Sequence, residues 1–92
     1  MKLLYELQEV VQEVKSYPKD GSYTSSLFTI GEDEILKKIG EEAVEVILAA
    51  KSQGNERLVA ESADLLYHLI VLLVEKGLTL QDVEQELKRR RS

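Results

Sequence analysis

The stretch ESADLLYHLIVLLV, residues 61–74, constrains the fold of this chain more than any other feature. Between Leu65 and Val74 the only strongly polar residue is His68, although Tyr67 carries a hydroxyl group. An apolar run of about ten residues is too short to span a bilayer. A helix that is apolar on all sides is normally buried. The stretch therefore predicts a core helix rather than a membrane span.

Apolar residues recur at helical spacing along most of the chain, which predicts three helices over about residues 2–16, 31–53 and 56–76. A short fourth helix is expected to begin at a Thr79 cap and to end in the basic tail. A tight turn at Gly54 should fold the two long helices into an antiparallel hairpin. The predicted fold is all-α: a single domain over residues 1–92, built as a helical bundle.

Residues 17–30, which include Pro18, are predicted to form a loop with room for one short helical turn. Thr29 and Glu32 are spaced as a capping box at the start of the following helix. Gly40 lies inside that helix at a cost of about 1 kcal/mol relative to alanine. Close packing against a neighbour would explain it.

Length and composition narrow the possible functions. A chain of 92 residues has a thin core, so its stability is expected to be shared with a second subunit. No cysteine is present, which excludes disulfides and thiolate metal sites and fits a cytoplasmic protein. Glutamates interrupt the apolar pattern of the N-terminus, so no signal peptide is expected. A net charge of −5 argues against nucleic acid as a partner.

Four carboxylates are placed to meet. Glu42 and Glu45 share one face of the second predicted helix, and Glu61 and Asp64 share one face of the third. Folding the hairpin about Gly54 brings Glu45 level with Asp64. Acids crowded into one groove repel each other, and burial adds to the cost. Because oxygen ligands suit hard divalent ions, the pattern predicts a Mg²⁺ site, with Mn²⁺ as the alternative.

Other interpretations of these residues stay open. The acids could be solvated surface charges that pair with lysine or arginine. His68 could be a core histidine bonded to a neighbour, and imidazole rarely binds Mg²⁺. Tyr67 points away from the helix face that carries Glu61 and Asp64, so it is assigned to packing. A di-iron bundle is disfavoured because the chain has no Glu-x-x-His pair.

The motifs GEEAVEV and ESAD fit the ExxE…ExxD pattern of the all-α nucleoside triphosphate pyrophosphatase superfamily. The longer text SYTSSLF…ILKKIGEEAVEVILAAK…ESADLLYHLIVLL, within residues 22–84, resembles the phosphoribosyl-ATP pyrophosphatase family. The resemblance implies Mg²⁺-dependent hydrolysis of phosphoribosyl-ATP to phosphoribosyl-AMP and pyrophosphate, the second step of histidine biosynthesis. It also implies a homodimer or a higher even oligomer. Some members of the family are fused to the cyclohydrolase of the next step, but 92 residues are too few to include that domain, so a stand-alone enzyme is expected.

With that resemblance, each candidate residue receives a role. Glu42, Glu45, Glu61 and Asp64 are expected to hold the metal, and Glu41 or Glu45 to accept a proton from the attacking water. Lys38 faces the groove, and the hydroxyl-rich loop at residues 22–24 either grips the substrate or caps a helix. Substrate contacts are expected from Ser22, Tyr23, Thr24, Lys37, Lys38, Lys51 and His68.

Two alternative functions remain. A house-cleaning pyrophosphatase acting on free or damaged deoxynucleotides would use the same carboxylates. A non-catalytic helical dimerisation module would need only the amphipathic helices, but it would leave the acids on the most apolar helix unexplained.

Overall fold

A computed structural model describes residues 1–91. It contains five α-helices and, within those residues, no strand: α1 (Lys2–Ser16), α2 (Tyr23–Ile30), α3 (Glu32–Leu48), α4 (Asn55–Glu75) and α5 (Leu80–Arg90). A π-helical turn, Ala49–Gln53, continues α3 as far as Gly54. No helix in this part of the chain is long and apolar enough to cross a membrane. The all-α prediction is confirmed.

The segment expected to be mostly loop instead forms the complete helix α2. Ser22 begins it, because its Oγ accepts a hydrogen bond from the backbone N–H of Ser25 at 3.2 Å. Leu27 is fully buried and joins the core of the other helices. Eight residues with few aliphatic side chains show no clear period in the sequence, so tertiary burial, rather than local pattern, stabilises this helix.

The capping box predicted for Thr29 and Glu32 is wrong. The residue before α3 is Gly31, and no side chain caps this end of the helix. Thr29 Oγ1 instead donates to the carbonyl oxygen of Ser25 at 3.1 Å. Gly31 has φ +116° and ψ −179°, a backbone region open essentially to glycine alone. The chain therefore turns sharply from α2 into α3 through glycine geometry.

The Thr79 cap is confirmed. Thr79 Oγ1 accepts from the N–H of Asp82 at 3.2 Å, and the Asp82 carboxylate accepts from the N–H of Thr79 at 2.9 Å. Gln8, which is buried in α1, also holds the start of α5. Its Oε1 accepts from the N–H of Leu80 at 2.6 Å, and its Nε2 donates to Gln81 Oε1 at 2.9 Å.

One small apolar core joins four of the helices. Each of α1, α2 and α3 contributes one fully buried residue, and α4 contributes the largest share. The core residues are Val11, Leu27, Ile35, Ile70, Val71 and Val74. This core fixes α2 and α3 against the side of α4 that carries His68.

The most extensive helix–helix contact is between α3 and α4. Gly54, with φ +92° and ψ 168°, separates the π-helical turn from α4. Glu42 of α3 contacts His68 of α4 across this pair. Antiparallel helices rise equally per residue. In a hairpin in which Glu42 lies opposite His68, Glu45 therefore lies opposite the residue next to Asp64. The detailed pairing of the two helices stays a prediction.

Much apolar surface is left uncovered. On α4, Val59 is 70% exposed and Leu66 is 46% exposed, so this helix is not buried on every side of the single chain as its sequence predicts. A Cβ atom at Gly40 would meet nothing within 4 Å. The close packing expected at Gly40 therefore does not come from within the described part of the chain.

Candidate functional site

His68 lies at the meeting point of α2, α3 and α4. It is only 5% exposed. Its Nε2 is 2.7 Å from the hydroxyl of Tyr23, and its Nδ1 is 2.6 Å from Glu42 Oε1 and 3.0 Å from the carbonyl oxygen of Asp64. One imidazole thus connects the first residue of α2 to a carboxylate of α3.

The neighbours of His68 indicate which ring nitrogen carries the proton. The Glu42 carboxylate and the Asp64 carbonyl are both acceptors, so Nδ1 is the donor. In the neutral ring, Nε2 then accepts the hydroxyl proton of Tyr23. The Tyr23 oxygen keeps its lone pairs for a ligand, and one oxygen of Glu42 stays clear of the imidazole.

Acidic groups lie near the hydroxyl of Tyr23. Burial is the largest cause that raises the pKa of this hydroxyl above its ordinary value of 10.0, followed by electrostatic repulsion from Glu42, Tyr67, Glu34 and Asp64 as the phenol ionises. The tyrosine therefore keeps its proton at neutral pH and can donate to His68. The same field would repel a triphosphate unless a cation reduced it.

Tyr67 takes part in the site, which the sequence did not predict. Its hydroxyl contacts Thr24 Oγ1, and its ring meets the edge of the His68 ring at a centroid distance of 5.5 Å and an interplanar angle of 84°. Tyr67 also packs against the core, as expected. A tyrosine within an apolar run such as residues 65–74 is expected to be at least partly buried, and its hydroxyl then needs a hydrogen-bond partner. The sequence could have indicated a polar contact of Tyr67 in this way.

Glu61 is buried, at 7% exposed, and its carboxylate pairs with Arg57, one turn earlier on α4. The guanidinium is half exposed, whereas the carboxylate is almost enclosed. A buried acid without a partner would be costly. Arg57 therefore neutralises Glu61 in the chain without metal.

The remaining predicted metal ligands are placed differently. Glu45 is half-buried and Asp64 is exposed. Within residues 1–91 neither side chain makes a hydrogen bond or ion pair, and no three acidic or histidine groups lie close enough together to hold a metal ion. The four acids are thus not preassembled in this chain, and the ligand set stays a prediction. Their donor chemistry, oxygen throughout, fits a hard divalent cation.

Glu41 and the predicted substrate-binding lysines lie on α3 and in the turn after it. Glu41, Lys37 and Lys51 are exposed, and Lys38 is half-buried. In the described residues none of them forms an ion pair. These charges are therefore available to a ligand without breaking an existing contact.

The hydroxyl-rich loop divides between the two roles expected for it. Ser22 caps α2, and Thr24 is buried against Tyr67. Tyr23 is 49% exposed and is the member whose side chain faces both His68 and solvent. Ser22 thus has a structural role as the cap of α2. Tyr23 is the residue of this loop whose hydroxyl can contact a substrate.

Comparisons with known proteins agree on one family. A model of phosphoribosyl-ATP pyrophosphohydrolase matches residues 4–91. The phosphoribosyl-ATP pyrophosphatase of Limosilactobacillus fermentum is 57% identical over 90 residues, covering 98% of this chain and 85% of the relative. That of Lactiplantibacillus plantarum is 53% identical over 90 residues with the same two coverages.

A longer relative matches over a similar stretch. The histidine biosynthesis bifunctional protein HisIE of Caldanaerobacter subterraneus is 50% identical over 90 residues, covering 98% of this chain but 44% of the relative. Since the family model and the single-function relatives extend over nearly the whole chain, this protein belongs to the phosphoribosyl-ATP pyrophosphohydrolase family.

Proposed function

We propose that this chain hydrolyses phosphoribosyl-ATP to phosphoribosyl-AMP and pyrophosphate, the second step of histidine biosynthesis. The match to the family over residues 4–91 carries the proposal. The cluster of Tyr23, His68 and Glu42 supports it, because these residues fall in the SYT, GEEA and YHL segments that resemble the family. The enzyme is a hydrolase of phosphoanhydride bonds, and we place it in the cytoplasm.

A divalent cation, Mg²⁺ or Mn²⁺, is part of the proposal. Glu42, Glu45, Glu61 and Asp64 would hold it, and it would neutralise phosphate charge and acidify a bound water. The negative field around Tyr23 supports this, since a triphosphate could not approach these acids unaided. Glu45 and Asp64 are free to bind, whereas Glu61 must first part from Arg57.

The other residues divide the remaining chemistry. Cleavage adds water across the phosphoanhydride between the α- and β-phosphates, so a base must take the proton of the attacking water. Glu45, half-buried on the same side of α3 as Glu42, suits this role better than the exposed Glu41. Lys38, half-buried and without an acidic partner in residues 1–91, would pair with a phosphate. Tyr23, which donates its proton to His68, would accept a hydrogen bond from a ribose hydroxyl.

A second copy of the chain is also proposed. Small and apolar residues on the outer faces of α3 and α4 follow the alternating three- and four-residue spacing of a coiled-coil seam. These residues are Leu36, Gly40, Ala43 and Ile47 on α3, Ala50 in the π-helical turn that follows it, and Val59, Ser62, Leu66, Leu69 and Leu73 on α4. The radius of gyration, 14.3 Å, exceeds the roughly 12 Å typical of a compact chain of this length. A dimer in which two hairpins form a four-helix bundle would cover this surface.

A substrate panel tests the proposed activity against its nearest alternative. Purified protein with Mg²⁺ is given phosphoribosyl-ATP, dUTP, dCTP and ATP in separate reactions, and pyrophosphate release is followed. We expect phosphoribosyl-ATP to be cleaved at least a hundredfold more efficiently, in kcat/KM, than the others. Efficient cleavage of dUTP or dCTP with phosphoribosyl-ATP untouched would instead assign a house-cleaning function.

A further inference from the structure

We propose that His68 is a positioning residue, which ties the hydroxyl of Tyr23 on α2 to the carboxylate of Glu42 on α3 and itself contacts neither metal nor substrate. This inference rests on the proposed function and adds a role that the acidic motif does not contain. Its basis is the pair of contacts at 2.7 Å and 2.6 Å on opposite sides of one buried ring.

The surroundings of His68 leave it no direct part in binding. The side chain is 5% exposed, and both ring nitrogens already have partners. The rings of Tyr23 and Tyr67 both meet it edge-on, at centroid distances of 5.7 Å and 5.5 Å, so the imidazole plane is held by packing as well as by hydrogen bonds. Because the ring is fixed, it holds the Tyr23 hydroxyl and the Glu42 carboxylate in a fixed position relative to each other.

The two ends of this connection differ in chemistry. Glu42 keeps one oxygen beyond the imidazole for a cation, and a hydrogen bond to the other oxygen fixes its rotamer. Tyr23 is half exposed and keeps its oxygen lone pairs for the nucleotide. His68 therefore sets the distance between the cation-binding group and the nucleotide-binding group. Such supporting hydrogen bonds typically contribute about 10–100-fold to metal affinity or activity.

Two substitutions separate the two ends. His68→Asn keeps an amide donor near the position of Nδ1 and can still bond to Glu42, but it is too short to meet Tyr23. His68→Gln places its amide near the position of Nε2 and can still meet Tyr23, but it loses the bond to Glu42. Mg²⁺ binding is measured by calorimetry without substrate, and KM and kcat are measured for phosphoribosyl-ATP.

We expect His68→Gln to weaken Mg²⁺ binding about tenfold or more, with KM changed less than threefold. His68→Asn should bind Mg²⁺ within about threefold of the parent and show a raised KM, matching that of Tyr23→Phe. Equal losses in both variants with unchanged Mg²⁺ affinity would mean that His68 serves packing alone, which would overturn the proposal.

Nitrogen-15 spectra of the imidazole provide a readout that needs neither metal nor turnover. The chain contains one histidine, so its two ring resonances are unambiguous. We expect Nδ1 to be protonated, Tyr23→Phe to shift the Nε2 resonance, and Glu42→Gln to shift the Nδ1 resonance. If neither substitution moves its resonance, the connection does not exist in solution.

The measurements also separate this proposal from the activity. If the parent protein does not cleave phosphoribosyl-ATP, the proposed function is wrong. The imidazole resonances and the Mg²⁺ affinities would still test whether His68 connects Tyr23 to Glu42. Circular dichroism establishes whether the His68 variants fold. Should both fail to fold, the spectra of Tyr23→Phe and Glu42→Gln decide.

Discussion

Glu61, a predicted metal ligand, already forms an ion pair with Arg57. The acid is nearly enclosed and the base is half exposed, so the pair can open toward solvent. A cation that binds Glu61 must compete with the guanidinium. Arg57 therefore stabilises the chain without metal, and it would oppose the proposed binding of a metal at Glu61.

Replacing Arg57 with glutamine tests this competition. An ion pair with a half-exposed partner is worth up to about 1 kcal/mol, so Mg²⁺ should bind up to about fivefold more tightly. The free energy of unfolding without metal should fall by at least that amount, because the nearly enclosed Glu61 carboxylate loses its partner. Calorimetric Mg²⁺ titration and denaturant unfolding measure the two effects.

Arg89→Gln is the matched control for Arg57→Gln. Arg89 pairs with Glu86 on the exposed surface of α5, far along the chain from the acids. It should leave Mg²⁺ affinity unchanged. If Arg57→Gln weakens Mg²⁺ binding, the guanidinium supports the site rather than competing for it.

The Tyr23 hydroxyl should titrate above 10.0, because burial and the acids around it raise its pKa. A folded-state pKa above the unfolded value stabilises the fold below pH 10, and that contribution is lost as pH rises through the folded pKa. The parent should therefore lose stability more steeply above pH 10 than Tyr23→Phe does.

Ultraviolet titration of the parent minus Tyr23→Phe isolates one of the four tyrosines. A difference titration centred at or below 10.0 would contradict the burial and the acidic surroundings described here.

At this scale the sequence indicated which side chains lie near one another better than it indicated the hydrogen bonds between them. Glu42, Asp64, Tyr23 and His68 do lie around one site, because helical spacing determines which side chains share a face. Spacing on a single helix could not reveal that His68 would bond to Glu42 across two helices. That contact depends on the packing of α2, α3 and α4 together.

At the scale of elements, glycines set the paths between the helices. Gly31 and Gly54 both have positive φ with ψ near 180°, a conformation that costs other residues about 1–3 kcal/mol. The break at Gly54 could be predicted because it follows a long apolar period. The role of Gly31 was missed because the spacing of Thr29 and Glu32 imitated a capping box.

Gly54→Ala should therefore destabilise the fold by about 1–3 kcal/mol, since no other residue adopts this backbone conformation readily. Denaturant unfolding measures the loss. Asn55→Ala, at the first residue of α4, is the neighbouring control and should change stability by less than the Gly54 substitution. An unchanged stability in Gly54→Ala would mean that the turn between α3 and α4 is formed differently.

At the scale of the whole molecule, α3 and α4 each leave apolar surface exposed to solvent in the single chain. The sequence predicted an α4 that is apolar all round, and the single chain buries only part of it. A second subunit was expected from the length of the chain and from the family resemblance, but the surface that it would cover became visible only once the helices were placed.

Leu66→Lys tests the proposed dimer. Leu66 lies mid-way along the exposed face of α4, where a buried lysine would be strongly disfavoured between two chains. We expect light scattering to show that the parent is a dimer. The dissociation constant of the Leu66→Lys dimer should be at least tenfold higher than that of the parent. Val10→Lys, an exposed apolar position on α1 outside the seam, is the control and should stay dimeric.

Gly40→Ala gives an independent result on the same interface. In an isolated chain this substitution should stabilise α3 by about 1 kcal/mol, because within residues 1–91 an added Cβ atom would meet nothing within 4 Å. Where a partner helix packs closely against Gly40, the added methyl group should instead weaken the dimer. A dimer strengthened by alanine would place the interface elsewhere.

The central claim is that these acids cleave phosphoribosyl-ATP with the help of a divalent cation, and pyrophosphate release tests it most directly. Parent protein and Glu42→Gln are each incubated with phosphoribosyl-ATP, in Mg²⁺ and again in excess chelator. The account predicts equal amounts of pyrophosphate and phosphoribosyl-AMP from the parent in Mg²⁺, at least a hundredfold less from Glu42→Gln, and none in chelator. Release that persists in chelator, or that Glu42→Gln leaves intact, would contradict it.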